Sequence, residues 1–270
     1  MEFPGNFIGT QNTANTNYLN GVHSLYEVGQ GVSDGTWPTN YKINQSLRFN
    51  GSEHLTKSFG TANRKTFTFS SWVKLGILDS QQDLFGGGSA SDQLHIQFTA
   101  DNRFGIRRYT SSNTIEVYAD SILRDLSNWY HLMVSVDTTQ TIDSNKIKIY
   151  INGIEQAVVN STGGTVNWPS TNEEFSILNS MYIGRRAHSN DYLFSGYMAE
   201  YNFIDGLTLD ASYFGFTHPT TKKWLPKKYT GEYGSTGFHL DFAGTNTGTG
   251  AVGTVGEDKS GNGNHFTSSG

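Results

Sequence analysis

The stretch from Trp129 to Val158 sets the strongest limit on what this chain can become. It reads Trp-Tyr-His-Leu-Met-Val-Ser-Val-Asp, a polar loop, then Lys-Ile-Lys-Ile-Tyr-Ile-Asn-Gly-Ile-Glu-Gln-Ala-Val. Successive side chains of a strand point to opposite faces. Alternation therefore puts Tyr130, Leu132, Val134 and Val136 on one face, and His131, Met133 and Ser135 on the other. In the second run Ile147, Ile149 and Ile151 share a face, with Lys146, Lys148 and Tyr150 opposite. A helical period fails, because it would bring Lys146 and Lys148 into the apolar stripe. Asn152-Gly153 ends the run, and both residues tolerate the positive φ of a tight hairpin turn. Three consecutive strands of one sheet are expected, with an aliphatic stripe on one side.

The same alternation recurs along the chain. Phe67, Phe69 and Ser71 alternate with Thr66, Thr68, Ser70 and Trp72. Leu94, Ile96 and Phe98 face away from Gln93, His95 and Gln97, and after an Asp101-Asn102 turn Phe104, Ile106 and Arg108 resume the ladder. Ile115 and Val117 give another strand, and Tyr197 to Phe203 is the last strongly patterned one. Gly86 to Gly88 read as a flexible turn; a phosphate cradle would need a following helix and a Lys. Leu209 to Phe214 suit one short helical turn.

Composition narrows the function classes. A formal net charge of −5, with Lys and Arg scattered, argues against a nucleic-acid partner, whose binding needs a basic surface. Cysteine is absent, which excludes a disulfide framework and thiolate chemistry. No apolar run is long enough to span a bilayer, and Met-Glu-Phe-Pro-Gly lacks the profile of a secretion signal. Residues 1–40 are polar and are expected to be a disordered or extended arm in the isolated chain, or an arm that orders on a partner with Phe3, Phe7, Ile8, Tyr18, Leu25, Tyr26 and Trp37 as anchors. Residues 217–270 are expected to be a linker followed by the partial start of a second similar unit. Phe238 to Phe242 is the stretch there expected to pair across subunits.

Three blocks carry a family resemblance. Phe67-Thr-Phe-Ser-Ser-Trp-Val-Lys74, the run from Trp129 to Gly153, and Tyr182-Ile-Gly-Arg-Arg with Phe194 to Asp210 resemble, in order and spacing, the laminin-G-type jelly roll of the concanavalin A-like lectins. The resemblance spans 41–216 and implies an all-β, concanavalin A-like jelly-roll β-sandwich with extended N- and C-terminal segments. Asn44-Gln-Ser-Leu-Arg-Phe49, Asn202-Phe-Ile-Asp-Gly-Leu-x-Leu-Asp210 and the run from Trp224 to Phe242 are similar to jelly-roll structural proteins of marine bacteriophages. That likeness implies a virion component, such as a fibre, tail appendage or capsid decoration. It would be made in the host cytoplasm and partner other virion proteins, copies of itself and a host-surface glycan. The alternative is a free carbohydrate-binding lectin or adhesin.

β-Glucanases resemble this fold and carry Glu-x-Asp-x-x-Glu on one strand, so that paired carboxylates flank the scissile bond. No such string occurs, so no enzyme and no catalytic residue is expected; Glu200 reads as solvated and Asp205 as a turn-former. Relatives with this fold often hold Ca²⁺ in end loops. Asp137, Asp143, Asn145, Asp191, Asp205 and Asp210 are oxygen donors in such loops, and also ordinary turn residues. No cofactor is expected, Ca²⁺ is the one candidate ion, and no metal ligands are assigned. For sugar binding, the candidates are Arg107, Arg108 and Tyr109 with Arg185, Arg186, His188, Asp191 and Tyr192, where planar aromatics lie beside hydrogen-bonding groups. Local pairing or a subunit contact is the competing account of those eight.

Overall fold

The alternating runs become strands of two antiparallel sheets packed face to face. A computed structural model of the chain describes residues 41–60, 62–177, 179–218 and 221–270; the expected N-terminal arm, 1–40, lies outside the described residues. In chain order the strands are β1 (Leu47–Asn50), β2 (His54–Phe59), β3 (Thr66–Leu75), β4 (Gln82–Ser89), β5 (Asp92–Phe98), β6 (Arg103–Thr110), β7 (Thr114–Ile122), β8 (Tyr130–Asp137) and β9 (Ile147–Ile151). They continue with β10 (Ile154–Glu155), β11 (Val158–Val159), β12 (Asn179–Ile183), β13 (Ser195–Asp205), β14 (Gly215–Thr217), β15 (Trp224–Pro226), β16 (Phe238–Leu240) and β17 (Thr267–Ser269). One sheet has seven strands, ordered β1-β13-β3-β8-β9-β10 with β16 also pairing β13. The facing sheet has eight, ordered β11-β7-β6-β5-β4-β12-β2-β17.

The predicted stripe lies where alternation put it. Leu132, Val134, Val136, Ile147, Ile149 and Ile151 all belong to the core between the sheets. Full burial of each such side chain stabilises by about 1.5–3 kcal/mol. Asn152 (φ 50°) and Gly153 (φ 79°) make the two-residue turn that pairs Ile151 with Ile154. The opposite face is also covered: Met133 and Tyr150 pack with Ile204, Ala211, Phe214, Tyr229 and Tyr233 in a second apolar layer. Leu209 to Phe214 contain the expected turn, a 3₁₀ segment at Ala211–Tyr213 capped by Asp210.

Three expectations are corrected. The segment 217–270 is not a linker awaiting a partner. β16 pairs Phe238 with Phe203 and Leu240 with Tyr201 inside the same chain, and β17 pairs β2. The Phe238 ring stacks on Tyr201, Phe203 and Phe59, and meets Phe266 at 4.6 Å between centroids. The Asp258-to-Asn264 turn anchors this return: the Asp258 carboxylate accepts from the His239, Ser260 and Asn264 backbone N–H groups. It closes the first unit rather than beginning a second.

Gly86 to Gly88 are interior to β4, not a turn. A Cβ at Gly86 would lie 2.7 Å from the Arg185 carbonyl oxygen and 2.8 Å from the Ala187 nitrogen, so glycine lets the loop after β12 lie directly on the strand. Glu200 is buried rather than solvated. A bulge between Ala199 and Asn202 interrupts the β13–β3 register, and Glu200 takes φ 48° there. Its carboxylate accepts from Tyr41 Oη at 2.7 Å and bonds His239 Nε2 at 2.9 Å. β3 occupies one edge of β13, so β1 and β16 share the other, and Glu200 sits where one gives way to the next.

Candidate functional site

A sheet face turned away from the core should be polar and wet. The outer face of the eight-stranded sheet is polar, yet much of it is buried. Leu94, Ile96, Phe104, Ile106, Ile115 and Val117 point inward. Gln93, His95 and Gln97 on β5, Arg107 and Tyr109 on β6, and Glu116 on β7 therefore point outward, with Asp83 of β4 opposite Gln97. Asp83 and His95 are fully buried and bonded, His95 Nδ1 to Asp83 Oδ2 at 2.5 Å. Burial pushes the Asp83 carboxyl up, and the His95 imidazole beside it opposes that rise. Gln97 donates to the Tyr118 hydroxyl and accepts from Gln81, while Glu116 lies 3.4 Å from Arg107 Nε.

This layer has unused hydrogen-bonding capacity. His95 Nε2, Asp83 Oδ1 and Arg185 Nε are buried atoms without a hydrogen-bond partner. Such groups cost about 1–3 kcal/mol each, so a β-sandwich gains no stability from them.

Seven of the eight expected site residues surround the same face. The loop after β12 carries Arg185 and Arg186; Arg186 Nε donates to Gln93 Oε1 at 2.9 Å, and Gln93 is paired with Tyr109. Asp83 N donates to the Tyr192 carbonyl, which ties the far end of the loop to β4. His188 Nε2 lies 2.6 Å from the Gly88 carbonyl oxygen, and Asp191 lies 3.5 Å from Arg186. Arg107, Arg185 and Arg186 each lie over a ring, of Tyr109, Tyr182 and Tyr192 respectively, the tightest being Arg185 at 4.2 Å. Tyr109 is 36% exposed, and His188 and Asp191 are exposed at the loop tip.

Arg108 departs from the expectation. It is paired with Leu94 and Ile115, both core residues, so it points inward at the end of the sandwich. There it forms a two-pronged pair with Asp92 at 2.9 Å and bonds Glu173 at 2.5 Å. Adjacent strand residues cannot share a face, so the string Arg-Arg-Tyr was bound to divide. Asp83, Gln93 and His95 are the residues that sequence reasoning missed as site groups. The signal for Gln93 and His95 was the all-polar alternate face of β5, while Asp83 of β4 had none.

The loop acids do not converge on a common ion. Asp137 binds Thr139 and Gln140, Asp143 pairs with Lys146, Asp210 caps Ser212, and Asp205 holds Asn63 and Thr236. Among the described residues no group of three or more His, Asp or Glu is placed to hold a metal.

Two antiparallel sheets with a single core, one presenting a polar outer face, define a lectin-like jelly roll. A profile of the concanavalin A-like lectin/glucanases superfamily matches residues 49–211, and the chain belongs to that family. No curated protein matches it by sequence. Among solved structures it is similar to a putative carbohydrate binding protein from Bacteroides ovatus, at 17% identity and a TM-score of 0.53, over 85% of this chain and 59% of that one. It thus spans about three-fifths of that relative's length. Domain 4 of AbnA, an extracellular arabinanase from Geobacillus stearothermophilus, shares 22% identity at a TM-score of 0.47, over 63% of this chain and 75% of that one. A pentraxin from Limulus polyphemus shares 14% at 0.45, over 63% and 79%. The likeness to the Bacteroides ovatus protein describes the fold.

Proposed function

We propose that this protein binds carbohydrate without hydrolysing it, on the outer face of the eight-stranded sheet beside the 184–192 loop. The observation that carries the reading is the row of stacked Arg–Tyr pairs there, beside the exposed Tyr109, His188 and Asp191 side chains. Ring faces stack on sugars, and the exposed donors and acceptors of the loop match hydroxyl groups. The similar structure from Bacteroides ovatus is that of a putative carbohydrate binding protein, which supports the same class. The setting proposed for the module is a bacteriophage fibre, tail appendage or capsid decoration. That part rests on the motif resemblance of 44–49, 202–210 and 224–242 alone.

The test is a glycan array probed with the full chain and with Arg186→Ala and Tyr192→Ala. The expected result is saturable binding to a restricted set of glycans, weakened about tenfold or more in both variants. Binding to no glycan, or binding equal in all three proteins, would remove the site from consideration. Electron microscopy of particles labelled with an antibody to the chain tests the virion setting separately.

A further inference from the structure

The outer face of the seven-stranded sheet, on the opposite side of the sandwich, contains a cleft of about 390 Å³ that the reading above does not use. Ile43, Trp72, Trp129, Ala199 and Pro226 give it an apolar lining, and Asn44, Gln45 and Ser46 are its polar residues. Trp72 points outward because its neighbour Val73 is in the core. Its ring leans on His131 at 5.3 Å, and Trp129 leans on Tyr197 at 6.3 Å, so both indoles are braced before any ligand arrives. Trp129 is 36% exposed, a large share for so apolar a ring.

The chemistry of the lining selects the ligand. No charged residue lines the cleft. The exposed Asn44 and Gln45 amides and the Ser46 hydroxyl form no side-chain hydrogen bonds among the described residues, so they are available beside the apolar lining. A ligand must therefore be flat and apolar on one face, rich in neutral hydroxyl groups at its edge, and uncharged. A pyranose with equatorial substituents has that anatomy: its axial C–H bonds stack on indole while its hydroxyls reach the amides. The volume lies within the roughly 300–1,000 Å³ of small-molecule sites. We infer that the Trp72–Trp129 cleft is a second carbohydrate site, selective for neutral, equatorially substituted pyranoses. Its residues are distinct from those of the arginine-lined face, so either site can fail alone.

The experiment is an NMR titration of the ¹⁵N-labelled full chain with cellotetraose, following the five tryptophan indole resonances. With cellotetraose up to about 10 mM, the Trp72 and Trp129 signals should shift saturably. Trp129→Ala should weaken the response about tenfold, while Arg186→Ala leaves it unchanged. Should Trp129→Ala disturb the fold, Gln45→Ala, on an exposed residue of the cleft, should still weaken binding several-fold. Absence of any indole shift, a shift that survives both cleft variants, or one lost in Arg186→Ala would each overturn the inference.

Discussion

Phe238→Ala tests whether the C-terminal segment is part of the sandwich. The Phe238 ring is wholly buried and has four aromatic neighbours with centroids 4.6–6.0 Å away. Tyr201 and Phe203 belong to β13, whose other edge is held by β3, so the walls of the cavity left behind cannot collapse inward. Phe→Ala in a core costs about 3–5 kcal/mol, and rigid walls favour the upper part of that range. A residue in an exposed linker would change stability by no more than about 0.5 kcal/mol. With a urea slope of about 2–3 kcal/mol/M, the midpoint should fall by roughly 1.5–2 M in equilibrium unfolding followed by tryptophan fluorescence. Ile149→Ala, in the centre of the core, is the internal standard at about 2–5 kcal/mol. A Phe238→Ala midpoint within about 0.2 M of the parent, beside a clear loss for Ile149→Ala, would refute the placement of β16.

Two further outcomes follow from buried groups. Burial holds the His131 imidazole at about 3, below its ordinary 6.5, so between those values the folded state binds fewer protons than the unfolded chain. Stability is therefore complete above about pH 6.5 and falls toward pH 3, with a limiting slope near 1.4 kcal/mol per pH unit; urea midpoints against pH should show a shallower acid limb in His131→Gln. Gly86→Ala drives a Cβ against the backbone of Arg185 and Ala187, and should cost about 1–3 kcal/mol in unfolding assays and weaken glycan binding as the 184–192 loop lifts. Gly60→Ala, with nothing within 4 Å, should do neither.

How much was legible depended on whether a residue's partner was near in sequence pattern. β3, β5, β8 and β9 are long or regular enough for strict alternation, and their core faces follow from the sequence. β16 and β17 have three residues each, too short for a period to register. Their burial is supplied by β13 and β2, far away in the chain, so Phe238 and Phe266 read as isolated aromatics. Glu200 was misread because a bulge breaks the alternation at that residue. Arg185, Arg186 and Tyr192 were legible as a cluster because one loop carries them. His95 and Asp83 were not, because strand pairing across the β4–β5 ladder joins them.

The two outer faces differ in a way that bears on what each can hold. A sandwich needs only its inner faces to fold, so each outer face can be covered or left for binding. On the seven-stranded sheet, Phe214, Tyr229 and Tyr233 cover Met133 and Tyr150 with an apolar layer, and Trp72 and Trp129 line a charge-free cleft on the same face. On the eight-stranded sheet the loop from Gly184 to Phe194 lies over β4, with Asp83, His95 and Arg186 among the groups at that contact. Apolar residues in place of Asp83 and His95 would remove two unpartnered buried atoms and their desolvation cost. Stability alone does not account for keeping them. Both are closed off beneath the 184–192 loop, so they belong to the seat of that loop on β4, and any ligand of this face would meet Arg186 and Tyr192 above them rather than the pair itself.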